Sequence, residues 1–366
     1  MAETRLVRSL GVERPGVARF YELEDGPVED GCVQVDTLWS GLSAGTELTW
    51  FKGTNPWLHA RWDEELRVFR PGQPAVGYPL RSLGYMEVGR VRASRVRHLA
   101  EGGLVAMAYG HRTGYTASAA RQLVVPLPEN LDPLLGIYAA HMGPICANGL
   151  LHAAAEASGA RVRALSDGVG GRRVLVTGAG VIGLLVGLFA RHLGAAEVVV
   201  ADRTRSRLDA AAGLGLEPLD VTAPDAWLDL KRRWRNGPGD HGADVAFQCR
   251  GRLSELQSAL RLLRPQGAVI DLAFYPEEAT TLRLGEEFHH NGLAIRCAQI
   301  ARVPRGLEGS WDRRRLAEET LGLLAAEGDA IRKHLISDVV PLDAAPSLLQ
   351  EVAARERQVL QAVFKV

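Results

Sequence analysis

The stretch that decides the fold runs from residue 172 to residue 202 and reads RRVLVTGAGVIGLLVGLFARHLGAAEVVVAD. Its first apolar and β-branched run, residues 174–176, is typical of a strand buried on both faces. Gly178, Gly180 and Gly183 follow at the G-x-G-x-x-G spacing. The first glycine permits a sharp turn, the second lets a pyrophosphate approach the backbone, and the third lets a helix pack close to the sheet.

An apolar helix over 184–193 and a second strand over 198–200 complete this unit. The start of the helix, with Val181 and Ile182 in its first turn, presents unpaired N–H groups and the positive end of the dipole to a phosphate. Asp202 stands at the end of the second strand, where an acid accepts hydrogen bonds from the adenosine ribose. The full order of parts favours dinucleotide binding over an α/β unit without a ligand.

The residues after the second strand bear on which dinucleotide is bound. Asp202 favours NAD(H), because its carboxylate would repel a 2′-phosphate. Arg203, Arg205 and Arg207 lie close by in the sequence and would hold that phosphate if Asp202 turned away. NAD(H) is therefore the expected cofactor, with NADP(H) as the alternative.

Length and composition indicate an ordinary globular protein with two domains. The chain has 366 residues, 46% of them hydrophobic and 23% charged, and its formal net charge is zero, so nothing favours nucleic acid or an anionic membrane as a partner. No apolar run is long enough to span a bilayer. The four cysteines are far apart, which argues against a disulfide framework and makes the cytoplasm the expected compartment.

The pattern of predicted strands and helices changes twice along the chain. Short alternating segments separated by Gly and Pro predict an antiparallel, β-rich domain over 1–145. Strands alternating with helices predict a doubly wound parallel sheet over 146–303. The tail, 304–366, contains a predicted helix over 313–327 and otherwise resembles the first, β-rich part of the sequence. We expect it to complete the first domain.

The fourth and fifth strands of the predicted parallel sheet end near Cys249 and Gly251 and near Ala273 and Phe274. Ligands of such sheets lie in the crevice outside the carboxyl ends of the strands. We therefore expect these four residues to line the nicotinamide side of the cofactor site.

The order of parts resembles the medium-chain dehydrogenase/reductase superfamily over essentially the whole chain. The most specific matches are SGLSAGTEL at 40–48, LGYMEVGRV at 83–91, the loop around His111, and FHHNGLAIRCAQIARVP at 288–304. They resemble the branch of bacteriochlorophyllide hydroxyethyl dehydrogenases and related zinc-binding dehydrogenases of biosynthetic pathways. The resemblance implies an α/β chain in which a GroES-like β-rich catalytic domain is joined to a Rossmann domain.

The chain departs from the zinc-dependent members at the positions of the metal ligands. Where they carry a cysteine, a histidine and a third ligand, this chain has Ser43, Tyr85 and Pro144. Such side chains do not form a tight zinc site at neutral pH. The resemblance, with these departures, implies neither catalytic nor structural zinc. The alternative is a rearranged site built from His111, His141 and Cys146.

Without a metal, hydroxyl groups and a proton source must stabilise the developing alkoxide. Tyr85 is the expected proton donor, although it would otherwise only fill the space of the metal. Ser43 and Thr46 lie on a predicted loop, where they would relay a proton or cap a turn. Glu47 would orient them or pair with an arginine or with backbone amides. His111 would exchange a proton at neutral pH or be an ordinary loop residue. His289 and His290 are adjacent, so on a strand they would face opposite ways and make poor co-ligands.

Three functions follow from these residues. The first is a zinc-independent, NAD(P)H-dependent oxidoreductase that acts on the alcohol or carbonyl of a small, secondary-metabolite substrate. The second is reduction of a C=C bond, as in enoyl or quinone reductases. The third is a non-redox protein, lyase or cyclase that holds the dinucleotide tightly. A homodimer is expected through the edge strand at 293–300, unless Arg296 and Arg302 protect that edge.

Overall fold

The computed structural model describes residues 4–72, 74–275 and 282–366. It divides into two compact units. Unit 1 consists of Met1–His141 and Ile336–Val366, and unit 2 is Met142–Leu335. This division moves both expected domain boundaries, from 145 to 141 and from 303 to 335.

Unit 1 is built around the strand Cys32–Gly41. This strand pairs antiparallel with Glu87–Ser94, Gly114–Ser118 and Gln361–Lys365. Successive residues of a strand point to opposite faces, so Val33 and Val35 lie on the same face. Both are buried in one apolar cluster with side chains of neighbouring strands. The strands of the described part of unit 1 are Arg5–Arg14, Val17–Asp25, Cys32–Gly41, Ala60–Asp63, Val68–Pro71, Glu87–Ser94, Leu104–Met107, Gly114–Ser118, Val124–Pro126, Ile336–Pro341 and Gln361–Lys365.

Two α-helices of unit 1, Ala44–Lys52 and Ala345–Ala354, pack on a shared apolar cluster that includes Phe51, Leu348 and Phe364. The first helix lies where the sequence predicts only a loop. Gly and Thr residues make this segment a weak helix former, so tertiary packing decides its conformation. Short 3₁₀ turns complete the unit at Pro56–Leu58, Pro133–Tyr138 and Leu342–Ala344.

Unit 2 contains the predicted parallel sheet. Numbered along the unit, its strands lie in the order 3-2-1-4-5-6, which places a topological switch between the first and the fourth strand. The strands of this sheet are Arg173–Thr177, Glu197–Asp202, Glu217–Asp220, Ala243–Gln248, Leu263–Asp271 and Ala294–Cys297, and a small hairpin adds Arg235–Gly237 and Asp240–His241. The described helices are Met142–Ser158, Val181–His192, Arg205–Gly213, Ala226–Arg233, Leu253–Leu262, Glu287–His290 and Arg313–His334, with 3₁₀ turns at Gly159–Arg161 and Leu165–Gly168.

The helix Arg313–His334 corrects the expected role of the segment 304–366. It is about two turns longer than predicted, and it packs on helices of unit 2. Glu327 accepts hydrogen bonds from Arg191 and His192 at 2.8 and 3.2 Å. Residues 304–335 therefore belong to the Rossmann unit, and only the segment from residue 336 onward completes unit 1.

Two further observations concern helices. His289 and His290 lie in the short helix Glu287–His290, not on a strand, and the edge strand Ala294–Cys297 follows it. Across the described residues, no helix combines the length and the apolar character that crossing a membrane would require.

Candidate active site and cofactor loop

His111 lies at the centre of a buried polar cluster in unit 1. Its Nε2 lies 2.7 Å from Oε2 of Glu47, and its Nδ1 lies 2.5 Å from Oγ of Ser40. The His111 and Glu47 side chains are 0% and 1% exposed. Both ring nitrogens are therefore committed to protein partners, and the ring is closed to a substrate. A role for His111 acts through Glu47, unlike the direct proton exchange expected from sequence.

The surrounding backbone fixes the position of this ring. The His111 N–H donates to the Leu83 carbonyl at 2.8 Å, and the His111 carbonyl accepts from the Leu10 N–H at 2.9 Å. The ring of Phe364 meets the imidazole edge-on, with centroids 4.8 Å apart. Gly84 has φ +98°, and a Cβ on it would lie 2.8 Å from the imidazole Nε2. Only glycine fits here, because both the left-handed conformation and the close approach exclude a side chain.

Tyr85 carries the accessible end of the site. Its phenol hydrogen-bonds to the Ser43 hydroxyl, and the Thr46 side chain lies near enough to act on its pKa. The Ser43 N–H donates to Oε1 of Glu47 at 2.7 Å, which fixes the start of the helix on which these residues lie. Burial, and then the Glu47 charge, raise the pKa of Tyr85 against the opposing effect of the two hydroxyls. The phenol therefore stays protonated at neutral pH.

A cavity opens beside this phenol within unit 1. Its volume is about 280 Å³. It is lined by Glu47, Trp50, Val76, Leu80, Ser82, Leu83, Gly84 and Tyr85. A mostly apolar wall with a few converging polar groups is typical of a small-molecule site.

The aromatic residues that follow Trp50 form a separate group. The rings of Trp57, Trp62 and Phe69 contact one another around the hairpin of Ala60–Asp63 and Val68–Pro71, with centroids 4.9–6.5 Å apart. These three rings thus pack on one another, whereas Trp50 lines the cavity.

The residues at the expected metal positions do not fit zinc. The hydroxyls of Ser43 and Tyr85 bind each other, and Pro144 has no side-chain donor. The neighbouring carboxylate and imidazole, of Glu47 and His111, are buried and paired. Within 4–72, 74–275 and 282–366, no group of three or more His, Cys, Asp or Glu side chains could hold a metal. A tight zinc site needs thiolate, imidazole or carboxylate ligands, so this donor set offers none.

The glycine loop of unit 2 does fit a dinucleotide. Gly178 has φ +99°, and a Cβ on Gly183 would lie 1.9 Å from the Gly178 carbonyl oxygen, so the turn and the close packing both require glycine. Nothing lies within 4 Å of a Cβ built on Gly180, which leaves room for a pyrophosphate. The helix that begins after Gly180 has no side-chain cap, so the N–H groups of Val181 and Ile182 are available to an anion.

Asp202 lies where the sequence predicts it, but its carboxylate points into the protein. It accepts hydrogen bonds from the N–H groups of Ala179, Arg203 and Thr204 at 2.8–2.9 Å, and the residue is 0% exposed. Burial alone would raise the pKa of Asp202. The hydrogen bonds and the nearby guanidinium charges outweigh this effect and hold the pKa below its ordinary value.

The carboxyl ends of the central strands carry a polar network that sequence reasoning missed. The Thr177 hydroxyl donates to Oε1 of Gln248 at 2.5 Å. The Tyr275 hydroxyl donates to Asp271 at 2.8 Å, and burial raises the pKa of Asp271. The polar residues Thr177, Gln248 and Asp271 each end a mostly apolar strand, and this pattern in the sequence could have predicted the network. The expected cofactor contacts Cys249, Gly251, Ala273 and Phe274 follow these same two strands.

Two other residues of the candidate sites were also missed. Ser40 binds His111 from the strand Cys32–Gly41, and no local motif marks it. Arg250 follows the strand Ala243–Gln248 and lies against Gly178. A Cβ built on Gly178 would lie 2.8 Å from the Cβ of Arg250. A long cationic side chain between Cys249 and Gly251 was the signal for this residue.

Comparison with known proteins extends these observations. A profile of the zinc-binding dehydrogenase family matches residues 181–310. D-guloside 3-dehydrogenase of Shigella flexneri is 27% identical over 360 residues, covering 96% of this chain and 98% of that protein. A Thermotoga maritima alcohol dehydrogenase has a TM-score of 0.75 at 18% identity and covers 99% of both chains. A Sinorhizobium meliloti 1021 protein, described as a putative zinc-binding dehydrogenase and bound to NADP, has a TM-score of 0.72 at 19% identity, covering 99% of this chain and 100% of its own. The predicted fold, a GroES-like β-rich domain with a doubly wound Rossmann domain, is confirmed.

Proposed function

We propose that this member of the medium-chain dehydrogenase/reductase superfamily is a zinc-independent, nicotinamide-dependent oxidoreductase that interconverts an alcohol and a carbonyl. The observation that carries this proposal is the hydroxyl cluster of Ser43, Thr46 and Tyr85 beside the cavity of unit 1. Ser43 and Tyr85 stand at positions that the resemblance assigns to metal ligands, and Thr46 lies beside them.

The residues of unit 2 suit a nicotinamide dinucleotide. Gly178, Gly180 and Gly183 shape the loop, and the first-turn N–H groups of Val181 and Ile182 suit the pyrophosphate. When bound, the nicotinamide ring exchanges a hydride with the substrate carbon.

Tyr85 supplies the proton in the direction of reduction. The carbonyl carbon gains the hydride, the C=O π bond becomes an O–H bond, and the proton comes from the phenol. Ser43, which is hydrogen-bonded to this phenol, and the nearby Thr46 then return a proton to it from solvent. Because its pKa is raised by burial, the phenol of Tyr85 keeps its proton at neutral pH, so the proton is present when the alkoxide develops.

Glu47, His111 and Ser40 act as positioning residues. Glu47 holds the Ser43 N–H with one carboxylate oxygen and His111 with the other. His111 is in turn held by Ser40. This chain of hydrogen bonds fixes the helix start that carries Ser43 and Thr46, so the phenol keeps its partners.

The substrate that we propose is a small hydroxylated compound. A cavity of about 280 Å³ suits a molecule of monosaccharide size or less. Trp50 and three aliphatic side chains form the apolar part of its wall, and an indole suits the C–H face of a sugar ring. The similar D-guloside 3-dehydrogenase matches this chain over 360 residues. Its name supports sugar and polyol hydroxyls as the first substrate class to test. A secondary metabolite with such a hydroxyl group belongs to the same class.

We also propose that the protein is a cytoplasmic homodimer. The strand Ala294–Cys297 lies at the edge of the parallel sheet, and Ile295 on it is 36% exposed. An exposed edge strand can pair with a second copy across a two-fold axis. Light scattering on the purified protein checks the mass, and a monomeric mass would reject the dimer.

The decisive experiment compares Tyr85→Phe with Tyr109→Phe. Tyr109 is another tyrosine of unit 1, stacked on Tyr115 and outside the cavity. Sugar and polyol substrates are tested by absorbance at 340 nm. Removing the proton donor should lower kcat roughly 100-fold or more, with an unchanged dissociation constant for the cofactor. The Tyr109 variant should behave as the wild type.

Two results would reject the proposal. The first is a Tyr85 variant that keeps kcat within about threefold of the wild type. The second is stoichiometric zinc, measured by elemental analysis, whose removal abolishes turnover. A product with a reduced C=C bond and an intact carbonyl would show that the enzyme catalyses enoyl-type reduction and not the alcohol/carbonyl reaction.

A further inference from the structure

One segment of unit 1 begins and ends at the wall of the cavity. Trp50 and Val76, at the two ends of this segment, both line the cavity. The Tyr78 hydroxyl donates a hydrogen bond to the Trp50 carbonyl oxygen, which joins the two ends. The hairpin of Ala60–Asp63 and Val68–Pro71 lies between them, so it is attached to the cavity wall through both of its ends.

The rings of Trp57, Trp62 and Phe69 lie on this segment, and we refer to them as the aromatic cluster. Asn55, which is 3% exposed, fixes the position of the first ring. The Asn55 side-chain N–H donates to the Thr49 hydroxyl at 2.8 Å, and the Asn55 side-chain oxygen accepts from the Trp57 N–H at 3.2 Å. Thr49 directly precedes the tryptophan that lines the cavity. The aromatic cluster is therefore held beside the cavity wall.

The aromatic cluster presents apolar surface to solvent. Trp57 is 36% exposed and Phe69 is 44% exposed. Their rings meet edge-on, with centroids 5.6 Å apart and an interplanar angle of 82°, and such a contact leaves ring faces uncovered that stacking would hide. Leu66 and Val68 of the same hairpin are also exposed. A group of exposed large apolar side chains typically marks a binding surface.

Ion pairs on the hairpin favour a neutral ligand for the aromatic cluster. Nη2 of Arg70 lies 2.7 Å from Oδ2 of Asp63, and Nη1 of Arg67 lies 2.7 Å from Oε2 of Glu64. An aromatic face suits the C–H face of a sugar or another aromatic ring. The cavity, at about 280 Å³, has room for one sugar ring, so a second ring joined to that sugar would lie outside the cavity, on the adjoining surface.

We propose that the substrate is a glycoside, and that the aromatic cluster binds the ring carried on its anomeric oxygen while the sugar occupies the cavity. The inference rests on the proposed function, since it takes the cavity beside Tyr85 as the site of a sugar hydroxyl. Trp57 and Phe69 then determine specificity through binding and take no part in proton transfer. The continuity of the cluster with the cavity wall is the reason for assigning it to the substrate.

The first test measures binding, so it does not depend on turnover. Isothermal titration of the full chain compares methyl D-guloside with phenyl D-guloside, which differ only in the group on the anomeric oxygen. The choice of sugar follows the name of the similar D-guloside 3-dehydrogenase. The phenyl glycoside should bind about tenfold more tightly than the methyl glycoside, because its ring contacts the aromatic cluster.

The variants Trp57→Ala and Phe69→Ala should each weaken the phenyl glycoside about tenfold and leave the methyl glycoside within about twofold. Trp57→Phe keeps an aromatic face and should retain part of the affinity for the phenyl glycoside. Trp227→Ala is the matched control, since Trp227 is a similarly exposed tryptophan, at 38%, on a helix of unit 2. In turnover at 340 nm, KM for the phenyl glycoside should rise in the two alanine variants while kcat stays unchanged. Retained binding of the methyl glycoside shows that a variant is folded.

The outcomes separate this inference from the proposed function. Equal affinity for the two glycosides, binding of neither, or alanine variants that weaken both equally would overturn the inference and leave the oxidoreductase standing. A Trp57→Ala variant that lowers the mass measured by light scattering, with both affinities unchanged, would assign the cluster to a contact between copies and also overturns it. A selective loss of phenyl glycoside binding, with Trp227→Ala unchanged, supports the inference. The same loss without any turnover supports the glycoside surface and rejects the oxidoreductase.

Discussion

Glu87 gives the sharpest test of the physical reasoning in unit 1. This side chain is 0% exposed, and its Oε2 accepts a hydrogen bond from the Tyr115 hydroxyl at 2.5 Å. Burial raises the pKa of Glu87 from 4.5 to about 8, against the opposing effect of the nearby Tyr115 and Thr37 hydroxyls. The carboxyl is therefore neutral in the folded protein at pH 7 and ionised in the unfolded chain.

The pKa difference sets the size and sign of the effect. At about 1.4 kcal/mol for each pKa unit, ionising Glu87 costs the folded protein about 5 kcal/mol more than it costs the unfolded chain. Because the folded pKa is the higher one, this contribution is fully present below pH 4.5. It is lost as the pH rises to about 8.

Glu87→Gln keeps the shape and removes the ionisation. The variant and the wild type should have similar free energies of unfolding near pH 5, and the variant should become more stable by up to about 5 kcal/mol above pH 8. Urea unfolding at a series of pH values, followed by hydrogen exchange of the strand Glu87–Ser94, measures this difference. An infrared band of a protonated carboxyl at pH 7, absent in the variant, reports the same group directly.

Two results would refute this reasoning. One is a difference in free energy between variant and wild type that stays constant from pH 5 to above pH 8. The other is an infrared spectrum in which Glu87 is ionised at pH 7. In either case the carboxyl would be solvated or paired in solution, contrary to its burial between Thr37 and Tyr115.

Three further substitutions test the packing of the two sites. Gly84→Ala should lower the free energy of unfolding by roughly 2–4 kcal/mol, measured in urea, because its Cβ would lie 2.8 Å from the His111 ring at φ +98°; an unchanged midpoint would contradict this. Gly183→Ala should weaken NADH and NADPH binding about tenfold or more, measured by fluorescence, because its Cβ would lie 1.9 Å from the Gly178 carbonyl oxygen; wild-type affinity would argue against the loop assignment. Ser40→Ala should cost about 1–3 kcal/mol of unfolding free energy, since it leaves Nδ1 of the buried His111 without its partner; no loss would show that water replaces the hydroxyl.

Much of unit 2 can be predicted from the sequence, because its signals are local. The apolar run at 198–200 and the glycine spacing at 178–183 depend on neighbours in the chain, and the structure has the strand at Glu197–Asp202 and the turn at Gly178. The tail could not be assigned in this way. An amphipathic pattern at 313–327 predicts a helix but does not tell which unit its apolar face contacts.

The candidate sites show the same limit. Tyr85 and Ser43 are recognisable by their positions in the resembling motifs, but their mutual hydrogen bond depends on a helix that the sequence predicts as a loop. Ser40 contacts His111 across 71 residues, so no spacing rule finds it. The direction of the Asp202 carboxylate depends on three main-chain N–H groups, and a side-chain pattern contains no information about it.

The pairing of Ser40 with Phe364 has a consequence for synthesis on the ribosome. These residues are register partners on adjacent antiparallel strands, and both contact the His111 ring. Phe364 is translated after the whole of unit 2. The Rossmann unit can therefore fold while the chain is still being made, whereas the polar cluster around His111 stays open until the late strand emerges. A nascent chain would thus fold unit 2 first and complete the polar cluster of unit 1 afterwards.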